Sequence, residues 1–493
     1  MKKISIILFI LIIGTIVQSC TETLDVTPTS VITTTSFWKT EDGAVGALNG
    51  MYVDLRSMSE AIYVVGEQRS EVFEGGVYGS GGHNLFVNDL SGDQPNHSDW
   101  RGFYKIINSA NLILKYVPGI TFTSESSKNN ILAQAFTMRA YVYFVMTKTW
   151  GDLVLRTDPT ESSNAEITIK ERSSQEEVFT LIKSDIDNAI NLFPTNNFTS
   201  GRYYWSKAAA NTLKGDVYLW TGKRHNGGEQ DFNTALSALN DAANSDVALL
   251  PKFATLFEYT NKGNKEVLMS IRFQDLDGIA NNLFQNMWII ASAIPKTINE
   301  KTKNLIQPVG SGQGLLVLTG LVRTQFTDDD SRKKASFHEI YTYKTATDST
   351  FYSTLCLKGQ GLLTGGARLF LSDMVLYRYA DVLLLKAEAK NALNQDPTTE
   401  MNLIRQRAYG IANTSHVFVS GTKVQNDTAI LQERLFELVY EGKRWWDLVR
   451  FGKAFDLVPN LNSRMGQDYL LLFPIANTVL SMEPKVKQNP GYN

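Results

Sequence analysis

Apolar residues recur every three or four positions over much of 40–256 and again over 372–453, which predicts amphipathic helices. In "DGAVGALNGMYVDLRSM" (Asp42–Met58) they fall at Val45, Leu48, Tyr52 and Leu55. "WRGFYKIINSANLILKYVP" (Trp100–Pro118) shows the same spacing and is closed by Pro118 and Gly119. "ILAQAFTMRAYVYFVMTKTWG" (Ile131–Gly151) and "SQEEVFTLIKSDIDNAINLFP" (Ser174–Pro194) follow, the second opened by Ser174 with Glu177 three residues on, a capping-box spacing. Two further pairs are Ser206–Lys223 with Asp231–Ser245, and Tyr379–Leu393 with Thr399–Gly410. The last long pattern is "RLFELVYEGKRWWDLVRFGK" (Arg434–Lys453). As one helix it sets Leu435, Leu438, Val439, Gly442, Trp445, Trp446 and Val449 on one wide face. Lys443 with Asp447, and Asp447 with Arg450, are then spaced to pair on the other side. Alternating acids and bases do not suit a phosphate-binding stripe, so both tryptophans are expected in packing.

Helix, short turn, helix, with Ala208, Ala209, Ala210 and Gly215 at a close crossing, resembles degenerate tetratricopeptide repeats. Two stretches break the pattern. One runs from the end of the first helix to Asp99 and holds "FEGGVYGSGGHNLFVNDLSGDQPNHSD"; the other is Phe257–Leu371. Loops this long in a compact protein are functional or disordered, and their interleaved aromatics argue against disorder.

The start of the chain adds an address. Lys2 and Lys3 precede an apolar run, Ile4 to Val17, too short for an ordinary span and flanked like a secretory signal peptide. It ends in "VQSC", which resembles a bacterial lipobox, so residues 1–19 are expected to be removed and Cys20 to carry lipid (palmitate and related acyl chains). Residues 20–39 then form a polar tether, and Cys356 has no cysteine partner left. Across 493 residues the formal net charge is only -2, which gives no electrostatic footprint for nucleic acid.

Six blocks in order resemble the SusD/RagB family of outer-membrane nutrient-binding lipoproteins. They are "LDVTPTS" with "FWKTEDGAVGALNGMYVDLR", "QAFTMRAYVYFVMTKTWGDLVL", "MVLYRYADVLLLKAEAKN", "NLIRQRAYG", "ERLFELVYEGKRWWDLVRFGK", and the tail "FPIANTVLSMEPKVKQNPGYN". Ala476 stands where the family often has a second proline, and Val479–Leu480 replace its usual Glu-Leu. The resemblance implies an all-α fold over 40–493, with tetratricopeptide-like helix pairs (about 40–256 and 372–453). It also implies irregular ligand-binding insertions (59–99 and 257–371) and an extended C-terminal tail (454–493). It implies a protein anchored on the cell surface at the outer membrane, with a TonB-dependent β-barrel transporter (SusC-like) as partner. Such a protein captures glycans or, in some members, peptides, and performs no catalysis.

Sugar rings offer apolar C–H faces to flat aromatics and a hydroxyl rim to amide, acidic and guanidinium side chains. The first insertion supplies Phe73, Tyr78, His83, Asn84, Phe86, Asn88 and Asp89; the second supplies Trp288 beside Gln285 and Asn286, and Arg323. Tyr78, His83, Asn84 and Trp288 are the expected ligand contacts. No cofactor or metal is expected. The five histidines lack metal-ligand spacing, and "TDDDSRK" (Thr327–Lys333) lacks a calcium-loop pattern and reads as a structural ion pair. No hydrolase motif is present. Glu67, Glu71 and Glu74 read as a solvated acidic face rather than a glycan-hydrolase carboxylate pair. A scaffold binding protein partners through its repeat faces is the remaining competitor.

Overall fold

The computed structural model describes residues 37–77, 83–93, 98–162, 164, 168–275, 278–307 and 312–492. It is mostly helical, and the helices start where side chains cap them. Thr40 accepts from the Gly43 N–H ahead of α1 (Glu41–Ser57). A second helix, α2 (Ser59–Glu67), follows one residue later, and then the short α3 (His83–Phe86) and the longer α4 (Arg101–Tyr116). Ser124 caps α5 (Glu125–Trp150), and Ser174 with Glu177 forms the expected capping box on α6 (Gln175–Leu192). Ser206 caps α7 (Lys207–Arg224), which turns directly into α8 (Gly228–Ala243).

These helices pack in chain order, α1 on α4, α4 on α5, α5 on α6, α6 on α7 and α7 on α8. α8 then packs on α11 (Tyr379–Ala392), which α12 (Thr398–Tyr409) and α13 (Lys423–Leu438) flank. This is the repeat-like stack the small residues predict. A side chain on Gly215 would run into Leu239 of α8 at 2.4 Å, so glycine sets the closeness of that crossing. α5 lies at the centre, buried on nearly all sides from Ile131 to Trp150.

Three expectations change. The Arg434–Lys453 stretch is not one helix. α13 stops at Leu438, Tyr440 and Gly442 turn through positive φ (68° and 73°), and α14 (Arg444–Arg450) starts afresh. The break lets the Glu67 carboxylate accept the N–H groups of Tyr440, Lys443 and Arg444. It also lets Gly66 sit against the Gly442 carbonyl, which a Cβ on Gly66 would approach to 2.1 Å. Asp447 does pair with Arg450 (3.0 Å), but Lys443 turns instead to Asp381. Second, Glu67 and Glu71 are not a solvated face. Both are buried, Glu71 paired with Arg444 at 2.6 Å, and burial holds the Glu67 carboxyl up at about 7 against its three backbone donors. Third, the tail is not extended. It forms short turns and a helix (Asn477–Met482) laid against α5: the Phe473 N–H donates to the Thr149 carbonyl and the Asn489 amide to that of Trp150.

The family-like blocks meet in buried ion pairs. Arg332 of α10 (Ser331–Ser336) holds Asp330 (2.8 Å) and Glu433 (2.6 Å), which confirms the "DDDSRK" reading. Arg378 holds Glu266 (2.9 Å), Glu437 (2.5 Å) and Glu441 (2.8 Å), and Arg407 shares the first two. Asp381 and Glu388 are buried, which alone would raise their carboxyls. The cations beside them, Lys443 and Arg434 for one, Arg450 and Lys223 for the other, win and bring both down to about 2. A carboxyl held below its ordinary value contributes stability above that value and loses it as pH falls toward the folded one. The urea midpoint is therefore expected to drop as pH is lowered from about 4.5 to about 2; a flat midpoint over that window would refute the pairing.

Candidate functional site

The two insertions are one structure. β1 (Phe73–Gly75) of the first pairs antiparallel with β3 (Leu316–Leu318) of the second, with Phe73 opposite Leu318 and Gly75 opposite Leu316. Thr319 extends the seam: its N–H donates to the Val72 carbonyl and its hydroxyl to that of Glu71. Gly76 lies so close to Gly314 that a Cβ would sit 2.2 Å from its carbonyl oxygen.

The other strands frame this seam. β2 (Val267–Ile271) pairs with β8 (Met374–Arg378) just ahead of α11. β4 (Phe337–Tyr343) and β5 (Ser349–Cys356) form a hairpin, and β6 (Leu362–Thr364) and β7 (Ala367–Leu369) a smaller one. α9 (Asn282–Asn286) and the turn after it are clamped by residues 312–315. The N–H groups of Gln313, Gly314 and Leu315 donate to the carbonyls of Gln285, Trp288 and Asn286. The Asn286 amide donates across to Glu60 of α2 at 3.1 Å.

This framework decides the fate of each expected contact. Tyr78 lies outside the described residues, and so do Cys20 and the whole of residues 1–36. His83 opens α3, and Asn84 of that helix is half-buried, its carbonyl accepting the Asp89 N–H. Trp288 corrects its expectation. It is 1% exposed, under the Arg368 guanidinium (4.2 Å) and edge-on to Phe370, so here its ring carries the loop and offers no face to a sugar. Phe73 and Asn88 are buried as well. Asn88 accepts from Arg69 Nε at 2.9 Å. Arg323 is engaged by Glu339 (2.7 Å) and stacks on Phe351. Gln285 and Asn286 are half-buried at the seam. The face therefore keeps Asn84, Gln285 and Asn286 on a fixed backbone.

Known proteins resolve what this scaffold is. The family model described as "SusD family" matches residues 319–492, and one described as "Starch-binding associating with outer membrane" matches 76–219. A solved SusD superfamily protein from Bacteroides vulgatus is 30% identical, with a TM-score of 0.81 over 92% of this chain and 100% of its own. The chain belongs to the SusD family. NanU of B. fragilis is 35% identical, with a TM-score of 0.84 over 94% of this chain and 99% of that one. SusD-like protein P38 of Formosa agariphila is 28% identical over 100% of this chain and 99% of its own length. In this SusD-family chain three of the resembling blocks, those holding Arg378, Arg407 and Glu437, meet in the buried ion pairs. Among the described residues no helix is long and apolar enough to cross a membrane.

Sequence reasoning passed over one aromatic group. Tyr203 and Tyr204 stand in the link before α7, beside Tyr52 of α1, and line an open cleft apart from the β1–β3 seam. Adjacent tyrosines just ahead of a helix cap were the available signal, but the search for long loops does not reach them.

Proposed function

We propose that this protein captures oligosaccharides at the outer-membrane surface and passes them to a TonB-dependent β-barrel transporter. The observation that supports this most is the match of residues 76–219 to a starch-binding, outer-membrane-associated family, since that segment opens on the knitted insertion seam. In this reading Cys20 carries the lipid, residues 20–39 form the tether, and the insertion face, with Tyr78, His83 and Asn84, meets the glycan. Trp288 supports that face from below. The protein binds and transfers without bond chemistry.

Each buried acyl CH₂ contributes about 0.8 kcal/mol, so several chains anchor a protein firmly. Replacing Cys20 with serine is expected to move the chain from the membrane fraction to the soluble fraction, and its persistence in membranes would remove the anchor from this reading. Affinity purification of the tagged chain from detergent-solubilised membranes of its native host is expected to recover a large β-barrel protein. Recovery of soluble proteins alone would favour the scaffold function instead.

A further inference from the structure

The cleft lined by Tyr52, Tyr203 and Tyr204 has about 320 Å³ of space, at the lower end of ligand-pocket sizes. It is built by α1, the link before α7 and the end of β2, and owes nothing to the β1–β3 seam.

Its aromatics are held rigidly. Gly201 (φ 81°) and Arg202 (φ 52°) turn the link. The buried Arg202 guanidinium then locks it by donating to the carbonyls of Val267 and Asp246. Trp205 plugs the core, 1% exposed, while the two residues before it stay half-buried. The Tyr203 and Tyr204 rings lie 4.7 Å apart at 38°, and Tyr52 meets Tyr204 edge-on, also at 4.7 Å. The Tyr52 hydroxyl is fixed from two sides: it accepts the Trp205 N–H (2.8 Å) and donates to Gln134 of α5 (2.7 Å). Rings anchored this firmly lose little entropy when a ligand arrives.

Polar groups surround the rings. The Tyr204 hydroxyl donates to the Asn49 side chain at 2.9 Å. Arg272 lies 4.5 Å over the Tyr203 ring and donates to the Gly201 carbonyl. Its Nε lies 2.9 Å from Asp373, a carboxylate that Lys262 also holds at 2.9 Å, and Arg56 lines the same cleft. Gln274 is exposed at the rim.

We infer that this cleft is a second, separate sugar subsite that takes a short oligosaccharide. The tyrosine rings suit C–H faces, and Asn49, Gln274 and the outer N–H groups of Arg272 suit ring hydroxyls. The inference rests on the glycan-binding reading above but not on Tyr78, His83, Asn84 or Trp288.

The test is calorimetric titration of the full chain carrying Cys20→Ser. The probes are neutral malto-, laminari-, manno-, xylo- and galacto-oligosaccharides of two to six residues, with oligogalacturonate and sialyllactose as acidic probes. At least one of these oligosaccharides is expected to bind about tenfold more weakly to Tyr203→Ala, the size of loss typical of a buried aromatic contact. Tyr203→Phe should stay within about twofold, because stacking and not the hydroxyl carries the contact. Gln274→Ala, at an exposed position, should weaken the same ligand by about threefold, in line with one hydrogen bond. Equal binding of every recognised probe to wild type and Tyr203→Ala would overturn the second subsite while leaving glycan capture intact. Failure of every probe would overturn both.

Discussion

Replacing Arg378 with alanine is expected to cost about 3–5 kcal/mol of folding stability, the usual loss when one partner of a buried ion pair is removed. Arg378 is fully buried and its fork reaches Glu266, Glu437 and Glu441. Glu437 is held well below the usual carboxylate range, against the upward push of burial, by Arg407, Arg378 and Arg332 together. Without Arg378, Glu441 keeps the Lys358 cation (2.6 Å), and Glu266 keeps Arg407 (2.7 Å) and the Leu250 N–H (2.8 Å), each one cation short in a buried site. Burying apolar groups in place of a whole ion cluster can be neutral, but taking one member strands the others. Urea denaturation at pH 7 checks this. A loss below about 1 kcal/mol would place Arg378 with surface pairs, contrary to its burial. Because Glu266 precedes β2 while Glu437 and Glu441 lie at the end of α13, the same variant should loosen the second insertion against the helical stack. Faster amide exchange along β2 and β8 would report that.

The helical half of this fold was legible because its signals are local. Periodicity, Ser174 with Glu177, and the small residues at Gly215 each act within one or two turns, and all stand in the structure. The insertions hid their organisation for the opposite reason. β1 has three residues and its partner lies more than 240 positions away, so no pattern in either segment names the other. α2 was likewise read as loop, although Ile62, Tyr63, Val64 and Val65 are buried in it.

Charge misled where its partners were distant. Glu67 and Glu71 sit in an acidic-looking run, yet one caps the backbone of 440–444 and the other pairs with Arg444. Trp288 failed as a ligand contact for a related reason. A tryptophan beside amides fits a sugar platform, but Arg368, 80 residues on, covers its face. Composition identifies which loops can bind; which rings face solvent is set by packing across the chain.

The 434–453 stretch joins these two lessons, and truncating Trp445 to alanine is the sharpest way to separate scaffold from site. Trp445 is fully buried, and the Arg69 guanidinium lies 4.2 Å over its ring, with Phe473 on the same cation at 4.8 Å. Removing the indole leaves a large cavity and takes away one face of a buried cation, so the expected loss is about 3–5 kcal/mol. Burial already pulls the Arg69 pKa down to about 10, so that charge has little hydration to fall back on. Glycan affinity should change by less than about twofold, since no atom of the ring reaches solvent and the insertion seam rests on α2 and β3. Paired thermal denaturation and calorimetric titration decide the matter. A variant that keeps its melting temperature but loses ligand would make Trp445 a binding residue, and the break at Tyr440 and Gly442 would then serve to aim it. Buried as it is against Arg69, the ring instead locks the turn at 439–443 onto α2, which fixes one side of the seam where the two insertions meet.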